Sequence, residues 1–209
     1  MTEYVEKVFE SAKIEYYAAL DFSNLYITRA DMIEALGFTP RSVIIYIVPY
    51  YAGECENLSL YAGSLDYHIF LKQLGEELVD AIKLTYPESN ARAFGDRSPI
   101  DERHGALIGG LGILGKNGLL INESYGSYVF IGEVITDLAP EVLGVKDPVD
   151  IKHCNNCGAC ISACPTGALL GSGECLSAIT QRKGELTESE AELLVKFLKE
   201  MSSTPVKCV

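Results

Sequence analysis

Residues 154–165 read CNNCGACISACP, and no other stretch limits so sharply what this chain can fold into. Cysteine thiolates are soft donors suited to iron. Three of them two residues apart wrap one corner of a cubane, and a fourth placed before proline points away toward a different site. A zinc site would pair two CxxC units across a longer gap instead of stacking three ligands. The local backbone must therefore be a loop wound around an inorganic core. Five of the seven cysteines lie between 154 and 175, whereas a disulfide framework would spread them through a small secreted domain.

The spacing C-x2-C-x2-C-x3-C-P is that of bacterial ferredoxins and calls for one or two [4Fe–4S] clusters. Cys154, Cys157 and Cys160 need a fourth ligand, and Cys164 needs three companions. Cys175 and Cys208 are available, so six candidates exist for eight positions. A second unit starting at Cys208 would supply the other two. The expectation is a chain cut short, with a single cluster and an improvised fourth ligand as the alternative. Cys55, far from the others, reads as a plain thiol.

Ahead of the cysteines the pattern alternates. Residues 3–13 have helical periodicity, 14–20 a strand, and ADMIEALG a short helix closed by Gly37. RSVIIYIVPYY is a buried strand stopped by Pro49. Residues 64–86 form the longest helix, ARAFGD a strand ending on Asp96, and residues 100–109 a helix. Residues 118–136 look like a hairpin turning at 123–126. This mixture implies α/β or α+β architecture. Residues 138–152 have no periodicity and separate an α/β domain, residues 1–145, from an iron–sulfur module, residues 146–209. TESEAELLVKFLKEMSS is a helix opened by a Thr187/Glu190 capping box, with Leu194, Phe197, Leu198 and Met201 inward.

No apolar run reaches the ~20 residues of a membrane span, and the acidic, amphipathic N-terminus is neither a signal nor a transit peptide. The expected location is the cytoplasm. The net charge of −12 disfavours extensive phosphate binding, which depends on Lys and Arg.

The stretch GDRSPIDERHGALIGGLGILGKNGLLINESYGSYVFIGEVITDL resembles the core of the epoxyqueuosine reductases and, more distantly, the reductive dehalogenases. The matching positions are Asp96, Asp101, Arg103, Gly110 to Asn117, and Ser124 to Phe130. Asp66-Tyr67-His68 upstream and CGAC-x3-CPTGAL with Cys175 downstream match as well. The resemblance implies an α+β fold: a nitroreductase-like cobalamin-binding domain followed by a ferredoxin-like module. It implies an oxidoreductase of queuosine biosynthesis in which clusters held by Cys154, Cys157, Cys160, Cys164, Cys175 and Cys208 pass electrons to a cobalamin. Asp96 is then the proton donor. Tyr67, His68, Arg103, Lys116, Leu120, Asn122, Ser127 and Ile131 line the cofactor, the 119–131 segment mainly through its backbone. An electron donor of ferredoxin or flavodoxin type is implied, with a tRNA or nucleoside as the substrate.

The chemistry of the residues agrees. Reducing an epoxide to an alkene expels an oxygen that must be protonated, and a carboxyl beside a low-dielectric macrocycle can serve as the acid. Asp96 could instead cap the following helix. Gly105, Gly109, Gly110, Gly112 and Gly115 imply tight turns or close approach to a flat ligand. Some features depart from the resemblance. The sequence lacks the C-terminal helical repeats that help hold tRNA, Ser124 replaces the usual residue before Tyr125, and Glu174 replaces a basic residue. An electron-transfer protein without substrate chemistry, or a flavin or corrinoid binder, are the alternatives.

Overall fold

The computed structural model describes residues 2–53, 60–63 and 66–201. It has two compact units, one of residues 1–114 and 120–152, the other of residues 115–119 and 153–209.

The first unit is built on β2 (Ser42–Pro49), whose side chains are buried on both faces from Ser42 to Val48. A run of that kind belongs in the middle of a sheet. It pairs antiparallel with β1 (Tyr17–Asp21) on one side and β6 (Val129–Thr136) on the other, and β6 pairs antiparallel with β3 (Ala91–Gly95). The sheet order is β1-β2-β6-β3. Every pairing is antiparallel, so the unit is α+β.

The two-residue period of β2 feeds two cores. Ile44 and Tyr46 face α1 (Glu3–Ala12) and α3 (Tyr67–Thr85), packing with Val5, Phe9, Leu74, Leu78 and Ile82. Val43, Ile45 and Ile47 face the other way, toward Ala106 and Leu107 of α4 (Glu102–Ile108). A short helix α2 (Ala30–Glu34) precedes β2, and α5 (Pro140–Leu143) follows β6.

The expected hairpin of 118–136 does not form. β5 (Leu120–Ile121) pairs with β4 (Ile113–Leu114), while β6 crosses to the centre of the main sheet. The turn at 123–126 is present, closed by paired Asn122 and Gly126. Local alternation identified both segments as extended, but pairing partners are chosen by burial: β6 is apolar enough to be covered on both faces, and β5 is too short to cover it.

The glycines of 105–112 serve packing. A Cβ on Gly105 would reach Ile45 Cδ1, one on Gly109 would lie 2.9 Å from Ala18 Cβ, and one on Gly112 2.6 Å from the Ile121 carbonyl oxygen. They let α4 and β4 lie against their neighbours.

In the second unit α6 (Ala159–Ser162), α7 (Leu176–Gln181) and α8 (Glu188–Met201) follow the cysteine loop. The capping box forms: Thr187 N donates to Glu190 Oε2 at 2.7 Å, and Glu190 N to Thr187 Oγ1 at 3.4 Å. Leu194 and Phe197 are half-buried. The side chains of Leu198 and Met201 lie outside the described residues.

Candidate active site

The strand β3 ends at Gly95, and the next residue, Asp96, has φ 65°. Aspartate is one of the few side chains that enters this left-handed region readily. The kink turns the Asp96 carboxylate, 53% exposed, out over the N-terminus of α3. There Tyr67 Oη donates to Asp96 Oδ1 at 2.9 Å, and His68 Nε2 stands 3.4 Å from Asp96 Oδ2. The other ring nitrogen of His68 is 2.7 Å from Asp66 Oδ1, and Asp66 also caps α3 by accepting from His68 N at 3.0 Å. Among the described residues Asp96 caps no helix. The cap of α4 is Asp101, which accepts from His104 N at 2.9 Å.

The imidazole between two carboxylates has its pKa raised, first by the hydrogen bond to Asp66 and then by Asp96. Burial and the bond to Asp96 push the Tyr67 phenol up to about 12, so it remains a donor at any working pH. His68 Nε2 and Asp96 Oδ2 face each other at the exposed end of the strand.

A ribbon of rings leads away from this acid. His68 stacks on Tyr67 at 4.0 Å between centroids and Tyr67 on Phe130 at 3.9 Å. Phe130 meets Tyr50 at 4.5 Å, and Tyr128 meets both Tyr50 and Tyr51. Ile69 and Phe70, on the next positions of α3, are 58% and 40% exposed. The stacked rings and the exposed Ile69 and Phe70 make an apolar border with Asp96 at its end, and side chains of this kind fit contact with a macrocycle. Tyr50, Tyr51 and Asp66 were not singled out for this role by the sequence. The available signals were the adjacent tyrosines after Pro49 and the two-residue spacing of Tyr128 and Phe130.

The other expected cofactor residues are distributed differently. Leu120 is in the α4-side core, 4% exposed. Asn122 is 2% exposed; its Nδ2 donates to the Leu111 carbonyl at 2.8 Å and its Oδ1 accepts from Ser124 N and Tyr125 N. Its side chain shapes the turn. Ile131 packs against the same core, Ser127 is half-buried and Arg103 is exposed. Lys116 belongs to the second unit, beside the cysteines.

In that unit Asn156 (φ 59°) and Gly158 (φ 79°) turn the loop between the first three cysteines. Cys157 is exposed, while Cys154, Cys160 and Cys164 are half-buried. The Cys154 thiol has its pKa lowered by the backbone amides of Asn156 and Lys116 and by the Lys116 charge. The Cys164 thiol is lowered by the amides of Leu169, Thr166 and Ala168 and by the Thr166 hydroxyl. Amides directed at sulfur favour thiolate, the form that ligates metal. Among the described residues no three Cys, His, Asp or Glu side chains are gathered into a metal-sized group. The fit to a cluster therefore rests on donor type and on these amides. Cys175 is exposed, and Cys55 and Cys208 lie outside the described residues.

Residues 148–170 match the family of 4Fe-4S binding domains. An epoxyqueuosine reductase of Gloeobacter violaceus is 38% identical over 165 residues, which cover 73% of this chain and 50% of that protein. The structure of epoxyqueuosine reductase from Streptococcus thermophilus superposes with a TM-score of 0.69 at 24% identity, covering 94% of this chain and 60% of the other. An epoxyqueuosine reductase crystallised with a tRNA-Tyr stem loop gives 0.64 at 21% identity, over 88% of this chain and 59% of that one. A B12-dependent reductive dehalogenase shares the fold more distantly, with a TM-score of 0.55 at 16% identity over 78% of this chain and 25% of the other. The chain spans about half, or less, of the length of the curated relatives it matches. The strand-end acid, the cysteine loop and the α+β sheet go with these likenesses, and the chain is similar to the epoxyqueuosine reductases over about half of their length.

Proposed function

We propose that this chain carries the reducing centre of an iron–sulfur, cobalamin-dependent reductase that removes the oxygen of an epoxide on a tRNA nucleoside. The observation that carries the reading is Asp96, turned outward by its left-handed backbone and held by Tyr67 and His68 at the edge of the aromatic ribbon. Bound on that ribbon, cobalamin would supply a nucleophilic cobalt, fed with electrons through clusters on the cysteines.

The chain's own residues do the rest. The stacked faces of Tyr67, Phe130 and Tyr50 exclude water from one side of the site. Tyr67 Oη fixes the Asp96 carboxylate by its bond to Oδ1. In this reading the proton for the expelled oxygen is held where His68 Nε2 faces Asp96 Oδ2. Asp66 holds the imidazole in place from Nδ1, and the more basic His68 that results retains the proton until the oxygen develops charge. Arg103, Ser127 and Ile131 are the further candidates for contact with the macrocycle. Lys116 supports Cys154 thiolate through its amide and charge. Cys154, Cys157 and Cys160 would share a cluster, with Cys164, Cys175 and Cys208 as the remaining ligands.

The electron donor is of ferredoxin or flavodoxin type. With a net charge of −12, tRNA binding would rest on few phosphates, and its affinity would fall only shallowly with salt. Anaerobic reconstitution followed by a cob(II)alamin titration tests the reading. A cluster absorption band, removed by Cys157→Ala, and quenching of tyrosine fluorescence by cobalamin are expected. Stoichiometric zinc without sulfide would overturn the cluster assignment. Flavin binding without cobalamin binding would overturn the corrinoid assignment.

A further inference from the structure

Glu133 is an acid in the middle of β6, wholly buried, in register with Phe94 of β3 and Ile45 of β2. A carboxyl group in such a place loses its hydration, a cost that an apolar side chain would not carry. Its Oε2 atom has no hydrogen-bond partner. Its Oε1 atom is hydrogen-bonded to the hydroxyl of Ser98, in the loop between β3 and α4. The bond that offsets the desolvation of Glu133 therefore goes to the loop that carries Asp96.

That loop starts with a strained turn. Arg97 N donates to the Gly95 carbonyl at 2.7 Å, across Asp96 with its φ of 65°. A bond from residue i+2 to residue i around a positive φ marks the rarer, strained kind of γ-turn, and such a backbone persists only where its surroundings fix it. On one side Gly95 is fixed by pairing with Gly132 of β6. On the other, Pro99 O accepts from Thr28 N at 2.9 Å and from Arg29 N at 3.0 Å, and Asp101 N donates to Tyr26 O at 2.8 Å. Between these backbone anchors Ser98 supplies the tie to the sheet: its hydroxyl oxygen accepts from Ile100 N at 3.0 Å, lies 2.9 Å from the Ile100 carbonyl oxygen and meets Glu133. Two consecutive residues of β6 thus hold the two sides of the turn, Gly132 by its backbone and Glu133 by its side chain.

The bond suits a neutral Glu133. A serine hydroxyl has one proton to donate. With Glu133 donating to Ser98 and Ser98 donating to Ile100 O, each contact of the hydroxyl has its own proton. Burial pushes Glu133 up to about 8, against the pull of the Ser98 bond and with a further push from Glu102. A glutamine side chain can donate the same bond through its amide nitrogen, whereas methionine, of similar length, cannot donate at all.

We propose that Ser98 and Glu133 are positioning residues whose hydrogen bond latches the Asp96 turn to the sheet and so sets where the Asp96 carboxylate stands against Tyr67 and His68. Its meaning for catalysis rests on the reading of Asp96 as the acid of an epoxide reductase. Released from β6, the turn relaxes toward an ordinary backbone. The carboxylate then leaves Tyr67 Oη, which stands 2.9 Å from Oδ1, and His68 Nε2, which stands 3.4 Å from Oδ2. Ser98 and Glu133 act through Asp96 and touch no substrate.

The His68 ring reports the position of the carboxylate without any turnover. Asp66 and then Asp96 hold its midpoint up, so loss of the Asp96 contact lowers it while Asp66 still holds the other nitrogen. In NMR titrations of the full chain, Ser98→Ala and Glu133→Met should lower the midpoint toward that of Asp96→Asn, and Glu133→Gln should leave it unaltered. Ser98→Ala added to Asp96→Asn should lower it no further, since two changes on one route do not add. In turnover of an epoxide nucleoside, Ser98→Ala and Glu133→Met should reduce kcat by about tenfold to a hundredfold, the scale of a misplaced group, with KM unchanged, and Glu133→Gln should keep the full rate. An unaltered His68 midpoint in Ser98→Ala, or Glu133→Gln behaving as Glu133→Met, would overturn the proposal. Should Glu133→Met fail to fold, Ser98→Ala, which removes one oxygen atom, decides. If the unaltered, fully loaded protein turns over no epoxide, the reductase reading fails, whereas the His68 titration judges the latch separately.

Discussion

Asp96 combines two demands, a left-handed backbone and an outward acid. Asn tolerates that backbone as well as Asp, so Asp96→Asn should leave the sheet and cobalamin binding intact. It should lower turnover by about 10²–10⁴-fold, the usual contribution of a general acid. An unchanged rate in steady-state assays would remove Asp96 from the chemistry. His68 offers a second measurement. Its ring is bonded at 2.7 Å to Asp66 and stands 3.4 Å from Asp96, and Asp66 is the larger cause of its raised pKa. Titration of the His68 ring by NMR should show a raised midpoint, lowered more by Asp66→Asn than by Asp96→Asn. The reverse order would mean that the Asp96 contact dominates in solution.

The central element is β6. Its Gly132 pairs with Tyr46 in register and with Gly95 on the other side. A Cβ there would lie 2.5 Å from the Tyr46 ring, a ring that is wholly buried against Phe9 at 5.6 Å. Neither neighbour can yield without opening the α1–α3 core. Gly132→Ala should destabilise the protein by about 1–3 kcal/mol through overpacking, visible as a lower midpoint in urea. Since Phe130, two residues earlier, is part of the aromatic ribbon, the same variant should weaken cobalamin binding as well. Equal stability in the variant would mean that Tyr46 has an alternative rotamer. The cysteine element depends less on packing: Cys157→Ala should bleach the cluster band after reconstitution while leaving the fluorescence of the tyrosines, all of which lie outside the cysteine unit, unchanged.

For the whole molecule the buried acids set a pH dependence. Glu102 and Glu133 titrate near 4.5 when free and at about 7 and about 8 when folded. The folded chain therefore binds more protons than the unfolded one across that interval, and stability falls as pH rises from about 4.5 to about 8, then levels. The loss is on the order of several kcal/mol, since each unit of displacement is worth about 1.4 kcal/mol. Glu133→Gln should flatten the fall, so the variant gains on the unaltered protein as the pH rises in denaturation experiments. A parallel pair of stability curves would show that Glu133 ionises normally in the fold.

The cysteine spacing, the doubly buried run of β2 and the apolar stripe of α3 were legible along the chain because each is written in neighbouring residues. Thiol spacing selects a cluster, and periodicity selects strand or helix. The two-residue alternation of Tyr128 and Phe130 was also visible, but its purpose depended on Tyr67 and Tyr50 arriving from elsewhere. The fate of 118–136 was not legible: a hairpin and a strand that leaves for the main sheet have the same local pattern, and only competition for a buried place beside β2 separates them. Nor did the sequence show that α4 is capped by Asp101 and not by Asp96, since the point where the helix begins was decided by the fold of the loop before it. Glu133 carried no signal at all. It is a single charged residue in VFIGEVIT, and its burial follows from register, which puts it on the α4 face between Ile45 and Phe94. Local chemistry was determined by the sequence alone; which acids meet, and which of them are kept from water, was decided by long-range pairing.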